Sequence, residues 1–290
     1  MMERPSADRS LFDAHPRSFE GNRHVYPVLS RRAGGISIGV NLSPDKRCNF
    51  DCVYCQVDRT RPCPRSPIDL ARLAEELDAM VELVTSARIY QGAKFSETPR
   101  QLRRLNDFAL SGDGEPTICD RFEEVVDICA EVRHRRALDD VKLVLITNAS
   151  TLHNDRVRRA LKALDASGGE IWAKLDAGTE DYYRRVCRTG VPFGRILDNL
   201  REAASVRPIV IQSLFMRISE QPPPPAELDA YCRRLDEITA AGGRIKLVQI
   251  HTVARAPAEA WVSALGDEEV DAVAEQVRQQ TGLPVAAFYG

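Results

Sequence analysis

The sequence predicts an α/β fold built on a parallel sheet, and two observations carry that prediction. Six short apolar runs are separated by segments of helical periodicity, and most of the runs are continuous, as in strands covered on both faces. The unusual polar residues fall at the carboxyl ends of those runs, where open doubly wound sheets and barrels alike place their chemistry. Either architecture fits, and a single α/β domain is the economical reading.

Each element has its own signal. Residues 1–30 carry Pro5, Pro16 and Pro27 with weak periodicity and read as an irregular arm. Gly39-Val40-Asn41-Leu42 closes the first apolar strand and leads into a cysteine loop. From Ile68 to Thr85, Leu70, Leu73, Leu77, Met80, Val81 and Val84 recur at helical spacing. Asp107 to Leu110 is a short strand ending in Ser111-Gly112-Asp113-Gly114-Glu115. Asp120 is placed to cap a helix that buries Phe122, Val125, Val126 and Cys129. Val141 to Ile146 is a β-branched run ended by Thr147-Asn148, followed by a helix from Asp155 to Leu164. Ile171 to Leu175 is a strand ending at Asp176, and Glu180 to Cys187 is helical. Strands at Pro208 to Leu214 and Ile245 to Ile250 flank a helix from Glu227 to Ala240, which the run Gln221 to Pro225 introduces as a polyproline connector. A last helix from Asp267 to Gln280 precedes the apolar tail Val285 to Tyr289.

Bulk properties narrow the function classes. With 40 Lys and Arg against 42 Asp and Glu, the net charge of −2 does not support a general nucleic-acid grip. No run approaches the roughly 18 consecutive apolar residues of a membrane helix. Met1 to Arg17 lacks the apolar stretch of a secretory signal, so a cytoplasmic location is expected. The eight cysteines then read as thiols or metal ligands rather than disulfides.

Three of them, Cys48, Cys52 and Cys55, stand at i, i+4 and i+7 on one short loop. Thiolates so spaced can converge on a single inorganic object, and they suit zinc or an iron–sulfur cluster. A structural zinc site is normally closed by four ligands. The nearest fourth candidate, Cys63, comes eight residues later, so three local ligands leave one position open.

This Cys-x3-Cys-x2-Cys segment, with Tyr54 just before its last cysteine, resembles the radical S-adenosylmethionine superfamily. The resemblance covers about Ile36 to Val253 and implies a partial (β/α)6 TIM-like barrel of parallel strands with helices outside. It implies a 4Fe–4S cluster held by Cys48, Cys52 and Cys55, whose fourth iron is chelated by the amino and carboxylate groups of S-adenosylmethionine. In the family, an electron from the reduced cluster cleaves the sulfonium, and the 5′-deoxyadenosyl radical abstracts hydrogen from substrate. Tyr54 would pack beside the adenine. Gly112-Asp113-Gly114-Glu115 resembles the glycine–glycine–glutamate motif that holds the cofactor's amino group, in the variant with a residue between the glycines. Asn148 and Asp176, at later strand ends, are candidates for the ribose and carboxylate contacts, set against capping roles. Lys174 is a further partner for the carboxylate.

Gln212 and Gln249 interrupt strands that should be buried and therefore need partners, in the cofactor, the substrate or internal hydrogen bonds. His251 reads as a satisfied structural histidine before it reads as a proton carrier. Cys129, Cys187 and Cys232 read as packing residues, whereas Cys63 and Cys119 lie near the predicted site. No residue is singled out as catalytic.

The expected layout is an arm over 1–30, a core over 31–255 and a helix-and-strand extension over 256–290. The expected partners are an external electron donor of flavodoxin or ferredoxin type and a small-molecule, protein or RNA substrate, with no membrane. The residues before Cys48 look most like enzymes near the tRNA wyosine-base synthase group, which raises tRNA base modification as one activity. The arginine groups Arg133 to Arg136 and Arg156 to Arg159 read better as solvated helix faces than as an RNA grip. Two other classes remain: an activase acting on a partner protein, and a non-catalytic iron–sulfur or zinc-binding module.

Overall fold

The computed structural model describes Arg17 and residues 19–59 and 63–290. Its main sheet has eight strands in the order β1–β2–β3–β4–β5–β6–β8–β10. These are β1 (Val25–Ser30), β2 (Gly35–Val40), β3 (Leu105–Leu110), β4 (Lys142–Thr147), β5 (Glu170–Lys174), β6 (Ile209–Leu214), β8 (Ile245–His251) and β10 (Val285–Phe288). β1 runs antiparallel to β2, and every other neighbouring pair is parallel. A separate antiparallel pair joins β7 (Met216–Ile218) to β9 (Val262–Ala264). The helices are α1 (Leu70–Thr85), α2 (Phe122–Arg135), α3 (Asp155–Ala166), α4 (Glu180–Cys187), α5 (Phe193–Val206), α6 (Pro225–Ala240) and α7 (Asp267–Thr281).

The strand order decides between the two architectures the sequence left open. Parallel strands advance in one direction without reversal, so right-handed crossovers put all the connecting helices on one face. A doubly wound sheet would reverse and carry helices on both faces. The sheet is instead the curled half-barrel expected from the resemblance, with helices outside. The expectation of cover on both faces is therefore corrected. Alternate residues such as Ile38, Leu143, Leu145, Ile171 and Ile211 join the helices in the main core. Val144, Trp172 and Val210 point the other way and form a small cluster of their own. Both faces of a strand like β4 are apolar near its start, which is why the run reads as continuous.

Three further differences have physical reasons. The arm expected over residues 1–30 ends in a regular edge strand: Pro27 can sit there because an edge position needs no amide on its outer side; residues 1–16 and 18 lie outside the described residues. Asp120 does not cap α2. Arg121 takes the cap position without a side-chain capping bond, and Asp120 meets Arg156 at 3.3 Å. Helix α5 was not anticipated, although Phe193, Ile196, Leu197, Leu200 and Ala203 supply its buried face.

Beneath the inner face a charge cluster ties three strands. Glu170 Oε1 lies 2.8 Å from Lys142 Nζ and 2.7 Å from Lys246 Nζ, and Trp172 Nε1 donates to Oε2 at 3.0 Å. Among the described residues no helix is long and apolar enough to cross a membrane.

Candidate active site

The inner face opens into a cavity of about 350 Å³, within the range of small-molecule sites. Inward-facing strand residues (Asp107, Ala109, Trp172, Lys174, Gln212 and His251 among them) form its wall, and the cysteine loop lies across it. Cys48, Cys52 and Cys55 all line this cavity. Among the described residues no three His, Cys, Asp or Glu side chains crowd together as one metal ion with bonds near ~2.3 Å requires. The three thiols instead share one wall of a larger space.

The loop is held in place by its neighbours. Val53 N donates to Val186 O at 2.9 Å and Asp51 N to Cys187 O at 3.2 Å, docking the loop on the end of α4. Phe50 packs edge-on to Tyr183, which stacks on Phe193. On the other side Asn49 Nδ2 donates to Ser150 Oγ at 2.8 Å, and its Oδ1 accepts from Asn148 Nδ2 at 2.9 Å.

The Gly112–Glu115 loop packs so tightly against the cysteine loop that side chains are excluded. A Cβ on Gly114 would lie 1.7 Å from Arg47 O, and one on Gly112 would lie 2.4 Å from Asn41 Oδ1. Buried Asn41 stitches the same two loops, accepting from Asp113 N at 3.2 Å and donating to Asp113 Oδ2 at 2.6 Å. Glu115 is buried as well. Its Oε1 accepts from Thr117 N, Thr117 Oγ1 and Thr147 Oγ1, and its Oε2 accepts from Asn148 N at 2.7 Å. Burial pushes its carboxyl pKa above the usual range, against the pull of these bonds.

Of the residues expected at a cofactor, Tyr54, Gly112, Gly114, Glu115, Asn148 and Gln212 line the cavity with the cysteines. Asp113, Asp176 and Gln249 do not. Asp113 pairs with Arg17 Nη1 at 2.9 Å and with Asn41. Gln249 accepts from Gln212 Nε2 at 2.8 Å across the paired strands, so of the three partners open to it the structure gives the neighbouring glutamine. Asp176 lines a side pocket of about 20 Å³, where it accepts from Tyr54 OH at 2.5 Å and from Leu214 N at 2.8 Å. Lys174 Nζ sits 3.3 Å from Asp176 Oδ1 and 5.1 Å from the centre of the Tyr54 ring. Asp176 thus touches two cavity residues, Tyr54 and Lys174, without lining the cavity itself.

The remaining cysteines also sort themselves. Cys63 is exposed and Cys119 buried, and neither lines the cavity. Cys187, expected only to pack, lines the side pocket together with Cys52, and the two thiols interact. That contact lowers the Cys52 pKa and, with burial, raises that of Cys187. Burial pushes the Cys48 thiol up to about 11.

Two cavity residues escaped sequence reasoning or were read differently. Arg59, four positions after Cys55, donates to Cys55 Sγ at 2.7 Å, to Asp113 O at 2.8 Å and to Lys46 O at 3.1 Å. Burial opposes its charge, but the cysteines around it, Cys55 first, raise its pKa overall. His251 is not the satisfied histidine expected: among the described residues its buried Nδ1 has no hydrogen-bond partner. Burial, then Lys174 and Arg32, hold it well below the usual imidazole range, so the ring is neutral near pH 7.

Comparison with known proteins bears on the family and the fold. Residues 42–224 match the pattern of the Radical SAM superfamily. A UPF0026 protein of Helicobacter pylori is 29% identical over 177 residues, covering 61% of this chain and 48% of that protein. A GTP 3′,8-cyclase of Rhodopseudomonas palustris is 31% identical over 183 residues, covering 63% of this chain and 45% of that protein. The chain therefore spans about half the length of these curated relatives. The fold is shared with TYW1 solved with a lysine-pyruvate adduct, with a TM-score of 0.56 and 15% identity, covering 90% of this chain and 85% of that one.

Proposed function

We infer that this chain, which belongs to the Radical SAM superfamily and is an enzyme with that family's 4Fe–4S cluster and S-adenosylmethionine, uses the inner cavity to generate a radical and abstract hydrogen from a small molecule. The observation that carries the reading is the shared wall: three thiols from one loop face the same cavity as the Gly112–Glu115 loop. The donor chemistry fits, since soft thiolates suit iron–sulfur centres and three of them leave an iron open. When bound, the cluster and cofactor supply one-electron cleavage of the sulfonium to a 5′-deoxyadenosyl radical.

The protein's own residues bind and orient. Cys48, Cys52 and Cys55 hold the irons, and Arg59 fixes Cys55 by donating to its sulfur. Glu115 Oε2, which accepts from Asn148 N, retains acceptor capacity for an ammonium group. Gly112 and Gly114 let their loop pack directly against Asn41 and Arg47, which sets Glu115 on the same wall as the cysteines. Tyr54, tied by its hydroxyl to Asp176, presents its ring for the adenine. The electron comes from an external donor of flavodoxin or ferredoxin type in the cytoplasm. Residues 31–255 carry this machinery, and residues 256–290 extend the sheet by one strand, since β10 pairs with β8.

Base modification of tRNA is the second reading, favoured by the shared fold with TYW1. The outer arginines give it little help. Arg136 is held by Asp78 and Glu82, Arg158 by Glu202 and Arg159 by Glu123.

The test is anaerobic reconstitution followed by dithionite and S-adenosylmethionine. Formation of 5′-deoxyadenosine is expected. A protein that loads a cluster but never cleaves the cofactor is the non-catalytic module. Deuterium transfer into 5′-deoxyadenosine only from a partner protein identifies an activase.

A further inference from the structure

Arg59 meets the candidate active site at three points, one for each nitrogen of its guanidinium. Nε donates to Lys46 O at 3.1 Å, ahead of the first cysteine, and Nη1 donates to Cys55 Sγ at 2.7 Å. Nη2 donates to Asp113 O at 2.8 Å, inside the Gly112–Glu115 loop. The side chain is half-buried and lines the same cavity as Cys48, Cys52 and Cys55. A planar fork anchored on two backbone carbonyls holds its charge against the sulfur in one fixed geometry.

That charge is not neutralised by an acid. All three bonds go to carbonyls or to sulfur, and among the described residues no carboxylate forms an ion pair with Arg59. Asp113 meets it through the carbonyl alone, since its carboxylate pairs with Arg17 Nη1 at 2.9 Å and accepts from Asn41 Nδ2 at 2.6 Å. A half-buried charge is also screened less by salt than a surface one.

The potential of an iron–sulfur cluster depends on its net charge and on the hydrogen bonds to its sulfurs. Reduction adds one electron from the external donor and makes the cluster more negative. A cation fixed beside a ligand sulfur favours that more negative state. A charge-assisted N–H···S bond works in the same direction, because it draws electron density off the thiolate. Arg59 supplies both at Cys55.

We propose that Arg59 raises the reduction potential of the cluster held by Cys48, Cys52 and Cys55, and so sets how readily an electron donor can reduce it. It is a positioning residue that acts through the Cys55 sulfur. The inference rests on the reading of these three cysteines as the cluster ligands.

A potentiometric titration followed by electron paramagnetic resonance tests it, on anaerobically reconstituted protein without S-adenosylmethionine. Iron and sulfide are counted first, so that only fully loaded proteins are compared. At a fixed ambient potential, Arg59→Gln should lower the ratio of reduced to oxidised cluster at least about tenfold, which is about 59 mV for one electron. Arg59→Lys keeps the charge without the fork and should recover most of that loss, a rescue that a purely structural role would not give. Arg201→Gln, from a surface ion pair on α5, should leave the potential unchanged. Arg59→Met, uncharged and of similar length, replaces Arg59→Gln if the latter does not load. Equal potentials in the wild type and the uncharged variant would overturn the proposal, as would a lysine variant shifted as far as the uncharged one. Loss of the cluster from both uncharged variants would overturn it too, since Arg59 would then hold the loop rather than tune the cluster. A wild-type protein that loads no iron–sulfur cluster removes the reading beneath, whereas a loaded one whose potential ignores Arg59 removes the tuning alone.

Discussion

Along β5, Ile171 and Ala173 are sealed against the outer helices, while Trp172 and Lys174 between them line the cavity. The same alternation runs along β3, where Phe108 and Leu110 pack outward and Asp107 and Ala109 face inward. The outer face is an apolar core whose residues are interchangeable in kind, provided volume is kept. The inner face holds cations, carboxyls and thiols above a small apolar cluster, and several of them have specific partners. One strand position separates a residue that sets stability from one that sets chemistry. Substitutions on the two faces should therefore fail in different assays.

The largest expected effect is on the inner side. Cys52→Ala should abolish cluster loading and 5′-deoxyadenosine formation while leaving the apoprotein folded, as iron analysis and circular dichroism would show. Gly114→Ala should come close to it without touching a ligand, because its Cβ would meet Arg47 O at 1.7 Å and drive the two loops apart. A Gly114→Ala protein that loads iron normally would break the account of how the loops are packed.

On the outer side, Phe108→Ala empties a fully buried site and should cost about 3–5 kcal/mol in denaturant unfolding. Whatever remains folded should still bind the cluster. Asp176→Asn sharpens the inner comparison, because Asp176 reaches the cavity only through Tyr54 and Lys174. It should weaken S-adenosylmethionine binding by about tenfold while sparing cluster content.

The smallest expected effect comes from the base of the inner face. Burial pushes Glu170 up, but Lys142, Lys246 and Trp172 outweigh it and hold the carboxyl down at about 2. A depressed folded pKa gives stability that is present above the ordinary value of 4.5 and lost as pH falls toward about 2. Thermal melts of the wild type should decline across that window, and Glu170→Gln should flatten part of the decline.

How far these features were legible follows the same division. The outer face announced itself through periodicity, and α4 runs from Glu180 to Cys187 as its spacing implies. Helix α5 carries the same signal in Phe193, Ile196, Leu197, Leu200 and Ala203. β1 was obscured by Pro27, which an edge strand tolerates. On the inner face, residues clustered in sequence were readable: the three cysteines and Gly112 to Glu115. Contacts joining distant segments were not. No local pattern sets Arg59 against Cys55 while also reaching Asp113, or brings Cys187 to Cys52. Asp113 belongs to the motif in sequence, yet it pairs with Arg17 and Asn41 and does not line the cavity.

The central claim is that Cys48, Cys52 and Cys55 make a site that S-adenosylmethionine completes. Electron paramagnetic resonance of the dithionite-reduced, reconstituted protein tests it most directly. The account predicts a 4Fe–4S signal that changes when S-adenosylmethionine is added and is absent from Cys48→Ala, Cys52→Ala and Cys55→Ala. A signal indifferent to S-adenosylmethionine, or a protein that takes up zinc and no iron, would contradict it.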